Sequence, residues 1–163
     1  MSFLAAAMVV ILAGCAAPPG EHAGHGQQQR QTAAGHAAPP SDTRVMVQFP
    51  EVLRAHTLAN MRDHLLALAE IQDQLARGAY DQASDIAEQR LGMSSLGSHG
   101  AHDVARFMPQ GMQAAGTAMH RSASQFAIVA KDASVTGDLK GSLAALATVS
   151  RTCVACHAAY RFQ

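Results

Sequence analysis

Tryptophan is absent from this 163-residue chain, and aromatic residues as a whole make up only 4% of it. A core so poor in large side chains leaves room for a bound group to contribute buried area, although composition alone does not demand one. Net charge is lacking too. Twelve basic residues balance twelve acidic ones, which removes the electrostatic footprint of a nucleic-acid binder, so no nucleic-acid partner is expected. Cysteine is limited to Cys15, Cys153 and Cys156, and an odd number at such spacing argues against a disulfide framework. What is plentiful is Ala, Leu and Met, residues that lose little freedom in a helix and so favour helix over sheet. The length suits one domain with a leader and a linker rather than two domains.

Residues 2–14, SFLAAAMVVILAG, form an apolar run of signal-peptide length, too short to span a bilayer comfortably. The run ends in Leu12-Ala13-Gly14-Cys15, which resembles a bacterial lipobox, where small residues admit the peptidase and the cysteine takes the lipid. An ordinary signal peptide with an incidental cysteine is the plainer alternative. No basic residue follows Met1, a departure that points to a misplaced start or to weaker export. Ala16, rather than Asp, follows the cysteine, and by resemblance to lipoprotein sorting this favours the outer membrane.

Residues 16–44 are rich in Gly, Ala, Pro, Gln and His and poor in large apolar side chains, too little to offset the entropy of ordering. The expected organisation is a lipoprotein signal over residues 1–14, a lipid-anchored disordered linker over 15–47 and a folded domain over 48–163. His22, His25 and His36 in the linker have two readings, a weak metal chelate or a solvated tail.

The folded part reads as helices. Pro50-Glu51 opens the first, where Pro is tolerated and Glu suits the positive helix end. Leu58, Met61, Leu65, Leu68 and Leu75, with Ile71 adjoining, make one face at steps of three and four, and Gly78 is the expected stop. A second helix spans about 80–91 with Ala83, Ile86 and Ala87 inward. A loop follows to about residue 109, with helix around 101–107. A third helix runs over about 110–132 through Met112, Ala115, Met119, Ala123, Phe126 and Val129. After Gly137-Asp138, a last helix carries Leu139, Leu143, Leu146, Val149, Cys153, Cys156 and Tyr160 on one face. Four one-face stripes with short connections predict an all-α, antiparallel four-helix bundle.

Cys153-Val154-Ala155-Cys156-His157 is a Cys-x-x-Cys-His sequence, the attachment signature of c-type haem. Two cysteines three positions apart project to one side of a helix and match the two vinyl groups they alkylate. The following His157 comes round towards the iron as an axial ligand. A redox disulfide needs a strand before and a helix after the motif, and a zinc site needs two more ligands, with no second Cys pair present.

The ending Cys-x-x-Cys-His-Ala158-Ala159-Tyr160-Arg161, with Gly137-Asp138-Leu139 upstream and Arg54-x-x-x-Leu58-x-x-Met61 on the first helix, resembles the cytochrome c′ family over about residues 48–163. The resemblance implies one covalent haem c at the C-terminal end of the bundle, held by Cys153 and Cys156 with His157 proximal. It also implies that Arg161 lies beside the proximal imidazole, Arg54 approaches a haem propionate and Leu58 caps the distal face. For Arg54 the plain alternative is a solvated cation at the helix start. Relatives often dimerise through their first two helices, so a homodimer is among the expectations.

Function turns on the sixth position of the iron. Under Leu58 it is open and suited to NO or CO; Met61 as sixth ligand gives a low-spin electron carrier; a histidine is the third arrangement, although His64 is expected to face solvent. The expected role is periplasmic electron transfer with a redox partner, or binding of a diatomic gas, and no catalytic role, since no acid or base is placed by motif beside the distal face. The alternative is a Met/His-rich, copper-handling lipoprotein in which the haem is accessory. It rests on Met93, His99, His102, Met108, Met112, Met119 and His120, because thioether is soft and imidazole suits both copper oxidation states. A Met-lined core with loop histidines at the surface reads the same residues.

Overall fold

Helix dominates because the chain is rich in strong helix formers and breaks them with Gly and Pro at a few defined places. A computed structural model describes residues 41–163. Its elements are β1 (Val45–Val47), α1 (Glu51–Ala76), α2 (Tyr80–Arg90), a 3₁₀ turn (Met93–Ser95), α3 (Ala101–Ala105), α4 (Gln110–Thr136), α5 (Leu139–Ala159) and β2 (Tyr160–Phe162). Of the described residues 76% are helical, which is compatible with an all-α class. The signal, Cys15 and the linker histidines lie outside the described residues.

The stops behave as their chemistry requires. Gly78 takes φ 71° just past α1, and Gly137 takes φ 72° between α4 and α5, a left-handed conformation that costs Gly nothing. Asp138 then caps α5 by accepting a hydrogen bond from Gly141 N at 2.9 Å.

Packing runs from α1 to α2, from α2 to α4 and from α4 to α5, whereas α1 and α5 make few backbone contacts. The α2–α4 seam is lined by Ala83, Ala87, Ala123, Ala127 and Ala130, all buried, and Ser84 Oγ donates to Ala127 O across it at 2.8 Å. Small side chains let these two helices approach closely, which is how a chain almost without aromatics closes its core. Ile71, Leu75, Leu91, Phe126, Leu146 and Val149 complete that core. Arg90 fastens α2 to α1 through Asp63 and Glu70.

Three expectations need correction. On α1 the inward face is Thr57, His64, Ala67, Ile71 and Leu75, so His64 is buried, while Leu65 is 69% exposed. The step of three or four was read from the larger Leu65, but the deeper partner of Ile71 is the small Ala67. On α5 the inward row is Ser142, Leu146 and Val149, with Leu139 and Leu143 turned outward. Its helix ends at Ala159, and Tyr160 belongs to β2 rather than to the helical face. Finally, Val45–Val47 fall within the segment expected as linker, yet they pair in parallel with Tyr160–Phe162. The ordered chain thus includes Val45–Val47, ahead of residue 48.

That strand pair closes the end of the molecule where α5 finishes. Val47 and Phe49 are buried with Val104 and Met112 in a second, smaller apolar cluster, joined by Leu53, Met108, Cys156, Tyr160 and Phe162. Phe49 meets Phe162 edge-on at 5.1 Å between ring centres. Members of this second cluster, Val104, Met108, Met112, Cys156, Tyr160 and Phe162, also line the unfilled space of the molecule.

Candidate functional site

Cys153 and Cys156 sit in the last two turns of α5, three positions apart, continuing the row of Leu146 and Val149. Both are free thiols and half-buried, and burial pushes both thiol pKa values up. They are therefore protonated at neutral pH rather than poised as thiolates.

Cys156 faces a cavity of about 360 Å³ that opens between α1 and α5, the helices that barely touch. Leu58 and Met61 of α1, Met112 of α4, His157, and Arg44, Tyr160, Arg161, Phe162 and Gln163 line it. His157 is exposed. Its carbonyl accepts a hydrogen bond from Arg44 Nη1 at 3.3 Å. Arg161 Nε lies 3.2 Å from Asp42 Oδ2, an ion pair by distance, but it makes no well-formed hydrogen bond. Asp42 also binds Arg44, whose hydrogen bonds hold its carboxyl at a pKa of about 2.

Five of the seven residues expected at the site thus share one cavity: Cys156, His157, Arg161, Leu58 and Met61. Cys153 stands one turn earlier on α5 and does not line it. Arg54 is turned elsewhere: its Nε donates to the carbonyl of Gln163 at 3.1 Å, in a shallow recess with Phe49 and Glu51. Arg44 and Phe162 were not anticipated as wall residues: no local pattern marks them, because they reach the cavity only through the β1–β2 pairing, whereas Met112 and Tyr160 belong to inward stripes read from the sequence.

A second cavity, of about 270 Å³, shares Met61, Met112 and Cys156 with the first. Its lining holds no acidic or basic side chain other than histidine, and carries four methionine thioethers, those of Met61, Met108, Met112 and Met119. Three histidines meet there from three elements: His64 of α1, His99 of the loop before α3, and His120 of α4. Their ring centres are 4.8 Å (64–99), 5.4 Å (99–120) and 6.2 Å (64–120) apart. Burial, with the neighbouring His99 and His120 rings second, pushes the pKa of His64 down to about 4. Burial also lowers that of His99. Of the Met/His-rich group read from sequence, His102 is fully exposed and Met93 turns outward, whereas His99, Met108, Met112, Met119 and His120 do converge.

No helix among the described residues is long and apolar enough to cross a membrane. No protein-family model, no curated protein and no solved structure matches this chain.

Proposed function

We propose that the protein is a monohaem c-type cytochrome of the cytochrome c′ kind, in which α1, α2, α4 and α5 form an antiparallel four-helix bundle around one covalently attached haem. The observation that carries this reading is the cavity between α1 and α5, into which Cys156 faces from the Cys-x-x-Cys-His sequence while His157 stands at its wall.

The residues present fit such a group. The thiols are free and lie on one side of a helix, three positions apart, as attachment to two vinyl groups of one macrocycle requires. The opposite wall offers Leu58, Met61 and Met112, and the rim offers the cations Arg44 and Arg161 for carboxylates. When bound, the haem supplies reversible one-electron transfer and, with its sixth position open, a site for NO or CO. Cys153 and Cys156 would hold it at the end of α5, and His157 would supply the imidazole to its iron. Leu58 lines only the cavity that contains His157, while Met61 stands on the boundary of the two cavities. That difference favours Leu58 as an apolar distal cap that excludes water and offers no lone pair. Arg161, beside the proximal side, bears on potential through its charge; Arg54, tied to the C-terminal residue, steadies the chain end instead of a propionate.

The proposed setting is the periplasm, with Cys15 anchoring the chain to the outer membrane by lipid and a soluble or membrane redox partner exchanging electrons with it. Leu65 and Leu66, exposed on α1, suit the pairing of two copies through the first helices.

The test is expression with and without a c-type haem maturation system, followed by haem staining after denaturing electrophoresis. The wild-type band should stain and a Cys153→Ser/Cys156→Ser band should not; a wild-type chain that leaves maturation without covalent haem sinks the proposal. The ferrous spectrum of the product, with and without carbon monoxide, then separates an open iron from one ligated by Met61.

A further inference from the structure

We infer that His64, His99 and His120 form a copper(I) site inside the protein, in the cavity that adjoins the one lined by His157 and shares Met61, Met112 and Cys156 with it. The inference uses no property of the Cys-x-x-Cys-His sequence and stands whether or not haem is attached.

The spacing is that of ligands to one ion. Imidazole nitrogens about 2.0–2.1 Å from a metal in trigonal or tetrahedral array place their ring centres about 5 to 5.5 Å apart. The three rings observed are 4.8, 5.4 and 6.2 Å apart. As the side chains stand, no three His, Cys, Asp or Glu donors among the described residues converge on one point. Closing on an ion therefore takes ring rotation, and His99, half-buried on a loop, is the ring with room to move.

Hydrogen bonding has already set the tautomers. His120 Nδ1 lies 2.8 Å from Leu91 O. A carbonyl only accepts, so Nδ1 carries the proton and Nε2 keeps its lone pair. Ser95, buried, gives its hydroxyl proton to Gly92 O at 2.7 Å, leaving its oxygen to accept from His99 Nδ1 at 3.3 Å. His99 Nε2 is then also a lone pair. A partner on Nδ1 and a bare Nε2 is the arrangement usual for metal-ligating histidine. The third ring, His64, is 8% exposed, and its Nε2 is buried with no hydrogen-bond partner at all. A buried polar atom without a partner costs free energy, and an ion would satisfy it.

Charge and softness choose the ion. No carboxylate lines the cavity, and Asp63, next to His64 in sequence, is engaged by Arg90. A buried divalent cation with only neutral ligands keeps its full charge in a poorly solvated place, whereas a monovalent ion keeps half of it. The thioethers of Met61 and Met119 line the same space and favour copper(I) over zinc.

The test is an anaerobic copper(I) titration of the full chain against a chromophoric chelator, with a parallel zinc(II) arm. The background carries His22→Ala, His25→Ala and His36→Ala, so that the tail cannot chelate. It is run on protein from the haem maturation system and on the Cys153→Ser/Cys156→Ser chain, which cannot bind copper through those thiols. The result expected in both is one equivalent of copper(I), bound more tightly than zinc(II). His99→Gln and His64→Leu should each weaken it by about 100-fold or more, and His102→Ala should leave it unchanged. His99 is half-buried, so its variant tests the site even where a change at His120 prevents folding. One equivalent undiminished by His99→Gln and His64→Leu, tighter zinc than copper(I), or no binding once the tail histidines are gone each overturns the inference. Absence of haem in the first preparation with copper bound in the second fails the haem reading alone.

Discussion

With the metal absent, desolvation keeps the imidazole of His64 neutral and its pKa near 4, well below the 6.5 of a free side chain. A histidine with a depressed folded pKa contributes nothing adverse above pH 6.5, where both folded and unfolded forms are neutral. As pH falls from 6.5 towards 4, the unfolded chain takes up a proton that the folded chain refuses, so stability falls with a slope approaching ~1.4 kcal/mol per pH unit. Below about 4 the term levels off. Urea unfolding of the metal-free protein between pH 7 and 4 should show this loss, and His64→Leu should flatten it. At pH 7 the same variant should be more stable than wild type by about 1 kcal/mol, because it removes a buried nitrogen that nothing satisfies. A loss of stability at pH 7 would mean that the ring earns its place by packing. Gain in stability with loss of metal binding is the behaviour of a functional residue rather than a core one.

At the scale of elements, α5 depends on its start as much as on its chemistry at the end. Asp138→Ala removes the hydrogen bond to Gly141 N and should cost about 1 kcal/mol, read from the shift of the urea midpoint at constant slope. The Gly137-Asp138-Leu139 start of this helix was legible in sequence because capping is local chemistry. The Cys-x-x-Cys-His end was equally legible, since the spacing alone puts both thiols on one side. On α1, helix and stop were readable from periodicity and Gly78, but the rotation of the face was not. Leu65 and Leu66 outweigh Ala67 on any hydrophobic reading, and only contact with the Ala-lined α2 and α4 selects Ala67, and with it His64, for the interior. The two strands left no signal: three residues are too few for alternation to register, and their partners are more than a hundred positions apart in sequence. The histidine cluster was hidden for the same reason, since His64 joins His99 and His120 only once α1 is turned.

For the molecule as a whole, the β1–β2 pairing makes the N-terminal strap part of the cavity wall, through Arg44, and part of the second core, through Val47 and Phe49. The reference for truncation is a chain beginning at Ser41, which keeps β1 whole. A chain beginning at Gln48 loses the burial of Val47, worth about 2 kcal/mol, and should melt about 5–10 °C lower. Equal melting of the two shortened chains would mean that the strand contributes nothing. The remaining question of scale is whether one copy is the working unit. Leu65 and Leu66 are 69% and 53% exposed side by side on α1. An apolar pair held out of its own core while a histidine is drawn in is a costly assignment for a lone monomer, and a second copy packed against α1 would bury it. Sedimentation equilibrium should therefore report a dimer for the wild type and a monomer for Leu65→Glu/Leu66→Glu. Neither residue lines either cavity, so the copper(I) stoichiometry and any covalent haem should survive the change. A wild-type monomer at tens of micromolar would assign those leucines to a different partner, and dimers persisting in the double variant would move the interface off α1.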